Sequence, residues 1–93
     1  MNQIMNIRYM KIYTDGHHYI IHNTKKEFKT GHTHINNFNT AKYIATLAIH
    51  CKLPNNNHIS PYLIKSLIRI STDKNYINEL DKLMKIKKTK RFQ

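Results

Sequence analysis

The sequence predicts a single α+β domain, in which an N-terminal antiparallel β-meander of two or three strands packs on three α-helices. The apolar residues from Ile7 to Ile35 alternate with a period of two, as in half-buried strands. After Asn37 the period changes to about 3.6, as in helices. The chain has 93 residues, enough apolar surface for one small core. We expect residues 1–93 to form one domain, with an ordered core over about residues 7–86 and a basic tail over residues 87–93.

The dipeptide Asp15-Gly16 predicts a hairpin turn, because both residues tolerate the positive φ angles of a two-residue type I′ turn. This turn sets a register in which Ile12 lies opposite Tyr19. One face of the hairpin is then apolar and faces the core, while the other face is mixed and faces water. Residues 1–9 are interpreted as an extension that the meander does not need.

A third strand is expected after a turn near residues 23–26. In this interpretation Phe28 and Thr30 return beside Ile21 and Tyr19. The result is a three-stranded antiparallel meander that ends near residue 31.

The first helix is expected to begin at a cap formed by Asn39 or Thr40 and to end before Pro54. Because it is apolar on almost every side, we place it between the sheet and the other two helices. Its inner stripe consists of five residues, Ala41, Ile44, Leu47, Ala48 and Cys51.

Two more helices follow a loop that is rich in asparagine. Ser60-Pro61 predicts the start of the second helix, because serine caps a helix and proline suits its first position. The second helix has a polar and basic outer edge, formed by Tyr62, Lys65, Ser66 and Arg69. The segment 71–73 ends it and provides caps for a third helix, which is expected to fray after Lys87.

The charge of the chain points to an anionic partner. Sixteen basic residues stand against five acidic ones, a net charge of +11. Six of the sixteen lie within the last twelve positions. No apolar stretch is long enough to cross a bilayer, and the single cysteine, Cys51, cannot form an internal disulfide. We therefore expect a cytoplasmic protein that does not engage a membrane; its oligomeric state stays open.

Concentrated basic side chains favour binding to phosphates with release of counterions. The predicted function is non-enzymatic binding of nucleic acid or of a ribonucleoprotein, with no cofactor, no metal and no catalytic residue. The predicted contacts are Lys65, Arg69, Lys82, Lys85, Lys87, Lys88, Lys90 and Arg91.

One alternative is a DNA-binding transcriptional regulator of the helix-turn-helix type. The second and third helices have roughly the required proportions, and Lys74, Asn75 and Asn78 would lie on the first turns of a recognition helix. Another use of the sheet is stacking of single-stranded bases on Tyr9 and Tyr13. All three interpretations share an anionic ligand and differ in the surface that meets it.

A further alternative is a histidine-dependent nuclease or metal-binding protein. His32 and His34 would lie on the same side of a strand with His17 near them, which allows a three-imidazole site. Imidazoles could also act as acid and base on RNA, with Lys29 or Lys42 holding the phosphate. The sequence has no second cysteine and no H-E-x-x-H motif to support a metal site.

Several segments resemble small accessory proteins of phages and mobile elements, a class that includes anti-CRISPR proteins. The resemblance implies stoichiometric inhibition of a host CRISPR-Cas nuclease, by binding guide RNA or an acidic or nucleic-acid-bearing part of that effector. A charge of +11 argues against imitation of nucleic acid by acidic residues. The segments are Gly31-His32-Thr33-His34-Ile35, Asn39-Thr40-Ala41-Lys42-Tyr43, Ser60 to Ser71 and Asn75 to Leu83.

Overall fold

The fold is α+β, with four strands followed by three helices. A computed structural model describes residues 2–55 and 60–91, and the side chains of residues 2–55 and 60–86. The strands form one antiparallel sheet in the order β1-β2-β3-β4, so the described sheet has four strands rather than two or three. The elements are β1 (Asn2–Ile7), β2 (Met10–Thr14), β3 (Tyr19–Asn23), β4 (His32–Ile35), α1 (Phe38–His50), α2 (Pro61–Ile70) and α3 (Lys74–Arg91).

The additional strand, β1, lies within residues 1–9, so this segment belongs to the sheet and is not an extension of it. It pairs antiparallel with β2, and its one irregularity is a bulge between Gln3 and Met5. Arg8 makes the turn into β2 with a φ of 52°. Met5 and Ile7 pack against the core, which gives this segment a reason to join the sheet.

The β2–β3 hairpin differs from the prediction by two residues. Ile12 lies opposite Ile21, and Thr14 lies opposite Tyr19. The turn spans four residues instead of two, because the Asp15 carboxylate accepts hydrogen bonds from the backbone N–H groups of residues 17 and 18, at 2.8 and 2.7 Å. These bonds, from His18 first, lower the pKa of Asp15 to about 2. A shift of two preserves the faces, so the predicted core side chains still point inward.

The expected third strand at Phe28 and Thr30 is wrong, because residues 24–31 form a loop, the 24–31 loop. The strand that pairs with β3 is β4, with Thr33 opposite Ile21. The loop folds back on itself through a hydrogen bond from the Gly31 N–H to the Glu27 carbonyl oxygen, at 2.8 Å.

Helix α1 begins slightly earlier in the chain than predicted. Its N-cap is Asn37, whose side chain accepts a hydrogen bond from the N–H of Thr40. At the other end Cys51 is the C-cap, with a left-handed backbone and an exposed side chain. The prediction that Cys51 belongs to the buried stripe is therefore wrong, because α1 ends at His50.

The starts of α2 and α3 agree with the sequence. The Ser60 side chain accepts a hydrogen bond from the N–H of Leu63 at 3.1 Å, and Pro61 is the first helical residue of α2. Asp73 Oδ1 accepts from the N–H of Tyr76 at 2.9 Å at the start of α3. The backbone of α3 is helical as far as Arg91. The loose tail expected over residues 87–93 is therefore wrong for residues 87–91.

Helices α1 and α2 both pack on the same face of the sheet, and α3 packs on α2. The placement of α1 between the sheet and the other helices is therefore wrong. Ser66 of α2, expected on the polar outer edge, is buried and accepts a hydrogen bond from the Thr33 hydroxyl at 3.1 Å. The largest buried side chains in this interface include Ile12, Ile44 and Leu67. None of the described helices is both long and apolar enough to cross a bilayer.

Candidate nucleic-acid interface

The face of the sheet turned away from α1 and α2, here called the open face, carries polar and ring side chains and one buried aliphatic residue, Ile20. Alternation along the strands places these residues opposite the core residues. They form two rows across β2, β3 and β4. One row is Lys11, His22 and His32, and the other is Tyr13, Ile20 and His34.

Four rings on and beside the open face contact one another one after the next. We call them the ring cluster: His22, Phe28, His32 and His34. Phe28 meets the His22 ring edge-on, with 5.2 Å between centroids, and stacks on the His32 ring at 4.4 Å with an interplanar angle of 3°. His32 in turn meets His34 edge-on at 5.1 Å. Phe28 remains 41% exposed, so the cluster offers an aromatic surface to solvent.

The 24–31 loop is held in place by two of these imidazoles. His22 Nε2 lies 2.9 Å from the carbonyl oxygen of Lys26, and His32 Nδ1 lies 2.5 Å from the carbonyl oxygen of Phe28. Because a carbonyl oxygen only accepts hydrogen bonds, each of these nitrogens carries the proton. The rings are thereby fixed in orientation.

Close packing at Gly31 lets the loop lie over the sheet. A Cβ atom at this position would stand 2.5 Å from Lys26 Cβ and 3.0 Å from the Glu27 carbonyl oxygen. Glycine is therefore required here for close approach, and this approach positions Phe28 between the two imidazoles.

Two of the eight predicted contact residues lie together beside the ring cluster. Lys65 and Arg69 line a groove of about 500 Å³ along α2, here called the α2 groove. Arg69 Nε donates to the carbonyl oxygen of His32 at 2.6 Å, and its Nη2 donates to that of Lys29 at 3.4 Å. These bonds leave other guanidinium N–H groups to meet a ligand. The Tyr62 hydroxyl, at the same groove, donates to the carbonyl oxygen of His34.

The surroundings of the ring cluster contain one acidic residue, the exposed Glu27 that precedes Phe28 in the chain. None of the strands, nor α1 or α2, contains an acidic residue. The acidic residues are Asp15 in the β2–β3 turn, Glu27 in the 24–31 loop, and Asp73, Glu79 and Asp81 at or in α3. The open face and the α2 groove therefore combine ring surfaces with a positive field.

The other predicted contacts lie on α3. Lys82 is exposed and stands 3.7 Å from the carboxylate of Glu79, itself exposed, so the pair is screened by water. Lys85 is also exposed. The side chains of Lys87, Lys88, Lys90 and Arg91 lie outside the described residues, so their part in an interface stays a prediction.

The three histidines proposed for a metal site do not form one. His32 and His34 are neighbours as expected, while His17 lies in the β2–β3 turn. Among the side chains described, no three His, Cys, Asp or Glu groups could hold a metal ion.

The two tyrosines proposed for base stacking differ in their surroundings. Tyr13 lies on the open face, but the ring of Tyr9 is covered by the Lys25 ammonium at 4.2 Å.

The first turns of α3 meet one requirement of the helix-turn-helix interpretation, which is that the base-reading side chains are exposed. Lys74, Asn75 and Asn78 are exposed. The same part of the helix, however, holds Glu79 and Asp81, which would face the phosphates of a duplex unfavourably.

The chain matches no protein-family model, no curated protein and no solved structure. The candidate interface is therefore inferred from the side chains that form it. Sequence reasoning missed Phe28 as a surface residue, because its period of two with Thr30 imitates a strand. The signal that could have found the ring cluster is Gly31, because glycine permits the close approach of a loop to a neighbouring segment.

Proposed function

We propose that the protein binds single-stranded nucleic acid, with bases on the ring cluster and phosphates at the α2 groove. The observation that carries the proposal is the continuous contact of His22, Phe28, His32 and His34 beside Arg69. Stacking platforms flanked by cations are the usual way in which proteins hold unpaired bases.

A single strand fits this surface better than a duplex. The bases of a duplex are stacked on each other, whereas an unpaired base offers its flat face to Phe28 and the imidazoles. Lys65 and Arg69 lie at the edge of β4, where the backbone of a strand on the open face would pass. No catalytic step is part of the proposal.

The test is the affinity of fluorescent single-stranded RNA and DNA oligonucleotides, measured by anisotropy against a duplex of the same sequence. Stacking of one base is worth about 1–3 kcal/mol, so Phe28→Ala should weaken binding by roughly 5- to 140-fold. Leu53→Ala is the matched control, because Leu53 is 44% exposed and Phe28 is 41% exposed. Equal affinity of Phe28→Ala and the wild type, or tighter binding of the duplex, would refute the proposal.

The phosphate part of the interface has its own test. Lys65→Gln should reduce the slope of log affinity against log salt by about 0.7, the value for one phosphate contact on a single strand. Thr46→Gln is a control at an exposed position of α1 that carries no charge. An unchanged slope for Lys65→Gln would remove Lys65 from the interface and leave Arg69 as the only charged side chain among the described residues that line the α2 groove.

Inhibition of a CRISPR-Cas nuclease stays a prediction and is the most concrete biological form of this binding. Its support is the resemblance of several segments to small phage accessory proteins, together with a charge suited to guide RNA or to a displaced strand. The measurement is target cleavage by a reconstituted effector with added protein. Loss of inhibition in Phe28→Ala would connect the two activities, and inhibition that survives it would separate them.

A DNA-binding regulator is a second candidate, favoured by the exposure of Asn75 and Asn78 on α3. It predicts sequence-selective gel shifts that survive competitor DNA and that lose selectivity in Asn75→Ala or Asn78→Ala. The single-strand proposal predicts no effect of either substitution.

A further inference from the structure

The two outer edges of the sheet differ in how their backbone groups are used. At β4 the carbonyl oxygen of His32 accepts from Arg69, and that of His34 accepts from the Tyr62 hydroxyl. Side chains of α2 therefore cover this edge. Within the described residues, no side chain from outside β1 bonds to that strand; its one side-chain hydrogen bond joins Gln3 to Asn6.

The residue types of β1 do not protect its edge. Edge strands are ordinarily blocked by charged side chains, proline, a bulge or a covering element. Residues Asn2–Ile7 read NQIMNI and contain neither a charge nor a proline, in a chain that has sixteen basic residues. The strand has six residues, and Ile4 is 42% exposed. Of these devices β1 has only the bulge between Gln3 and Met5, which puts Gln3 and Asn6 on the same face of the sheet.

We propose that β1 pairs antiparallel with β1 of a second copy of this chain, so that two sheets join into one of eight strands. The arrangement has a two-fold axis, and the same strand supplies both sides of the contact. With the axis between Ile4 and Met5, Gln3 faces Asn6 of the second copy. Both residues lie opposite open-face positions of β2, Tyr13 and Lys11, so the faces of the two sheets match.

The lack of charge on β1 permits pairing with a second copy, because self-pairing brings no like charges together along the strand. Repulsion between two chains that each carry +11 opposes the contact, and salt screens that repulsion. A foreign strand selected by the +11 charge of this protein would be acidic, and β1 offers it no cation to pair with. A neutral foreign strand remains an outcome that the experiment distinguishes.

Pairing through β1 has a consequence for the open faces. A two-fold axis perpendicular to the sheet puts both open faces on the same side, and the two β4 strands lie at the far ends. Adjacent strands are about 4.8 Å apart, so the two ring clusters are roughly 33 Å apart across the joined sheet. The dimer itself does not require the single-strand proposal to be correct.

The experiment measures molecular mass by sedimentation equilibrium and light scattering over a wide range of protein concentration, without nucleic acid. The wild type is expected to reach twice the mass of one chain. Ile4→Lys is expected to keep the mass of one chain, because it places a charge beside its own copy at the edge. Leu53→Lys is the control, since Leu53 is 44% exposed and Ile4 is 42% exposed, and it should remain dimeric.

Circular dichroism establishes that each variant is folded, and Gln3→Lys replaces Ile4→Lys if the latter is not. In the dimer, the backbone amides of β1 should also exchange hydrogen more slowly as concentration rises. A wild type that is monomeric at every concentration, or equal dissociation by Leu53→Lys, would overturn the proposal, as would a β1 edge that pairs only with an added foreign peptide. Because nucleic acid is absent, this result does not depend on the result of the anisotropy test.

Discussion

The buried side chain of Asn23, at the end of β3, donates a hydrogen bond from Nδ2 to the carbonyl oxygen of Ile70, the last residue of α2, at 2.9 Å. Its Oδ1 accepts from the N–H of Lys25 at 2.9 Å. The side-chain amide of Asn23 thus bonds a backbone carbonyl oxygen at the end of α2 and a backbone N–H at the start of the 24–31 loop. Asn23 is one of the few polar residues in the core, and its two bonds explain why it can be buried there.

Asn23→Ala should lower the free energy of unfolding. The substitution leaves a buried carbonyl and a loop N–H without their partners, at a cost of about 1–3 kcal/mol. Urea denaturation measures the change, and Asn75→Ala, at an exposed position of α3, should be near zero. A loss for Asn23→Ala no greater than that of the control would mean that water replaces both bonds.

Gly31→Ala should destabilise the protein and weaken single-strand binding together. Gly31 is not at a positive φ, so the new methyl group acts through its collision with Lys26 Cβ at 2.5 Å. Overpacking of this kind costs about 1–3 kcal/mol, and the displaced loop carries Phe28. Thr30→Ala, on an exposed neighbour, is the control for denaturation and for anisotropy. Unaltered binding by Gly31→Ala would mean that Phe28 does not depend on this loop geometry.

The β2–β3 turn should lose stability only in strong acid. The pKa of Asp15 in the folded chain is about 2, below its ordinary value of 3.8, because the N–H groups of His18 and His17 bond to the ionised carboxylate. A lowered pKa stabilises the fold fully above the ordinary value, and the contribution disappears as pH falls through about 4 towards 2. The carboxyl carbon shift of Asp15 in an NMR titration gives the midpoint. A midpoint at 3.8 would show that the turn does not bind the carboxylate.

Cys51→Gly should stabilise the protein by about 0.5–1 kcal/mol, because residue 51 has a left-handed backbone that costs an L-residue more than glycine. The φ and ψ angles of Cys51 are 51° and 43° at the C-cap of α1. Cys51→Ala retains the backbone cost and serves as the comparison in thermal denaturation. Equal stability of the two variants would indicate that the cap is not strained.

The basic end of α3 should contribute to affinity through charge alone. Simultaneous substitution of Lys87, Lys88, Lys90 and Arg91 by glutamine should weaken binding at low salt and reduce the salt slope by about 0.7 for each phosphate that is no longer neutralised. The preference for single strands over duplex should not change, because that preference is assigned to the ring cluster. If affinity at low salt is unchanged, these residues do not bind the nucleic acid.

Local signals in the sequence identify elements and faces well. Ser60-Pro61 marks the start of α2 because capping is a local interaction, and the assignment of Ile12 to the buried face holds although its partner differs. The register depends on side-chain hydrogen bonds of Asp15 that lengthen the turn, which a dipeptide signal does not contain.

Long-range contacts are what the sequence leaves undetermined. The ring cluster needs Gly31 to bring a loop onto the sheet, and Arg69 finds the backbone of His32 only after α2 has packed beside β4. Lys65 and Arg69 could be selected from the charge of the second helix. Their position beside Phe28 could not, since it depends on contacts between residues far apart in the chain.

The bonds from Tyr62 and Arg69 to the carbonyl oxygens of β4 also limit how far copies of the chain can associate. A fibril grows because every added molecule offers a fresh binding end, and this sheet has one such end at most. Once two copies have joined through β1, both outer strands of the joined sheet are β4, whose carbonyl oxygens at His32 and His34 already accept hydrogen bonds. A third copy therefore has no open edge to pair with, and association ends at two. Arg69 and Tyr62 would then act as a stop against polymerisation as well as holding the fold together.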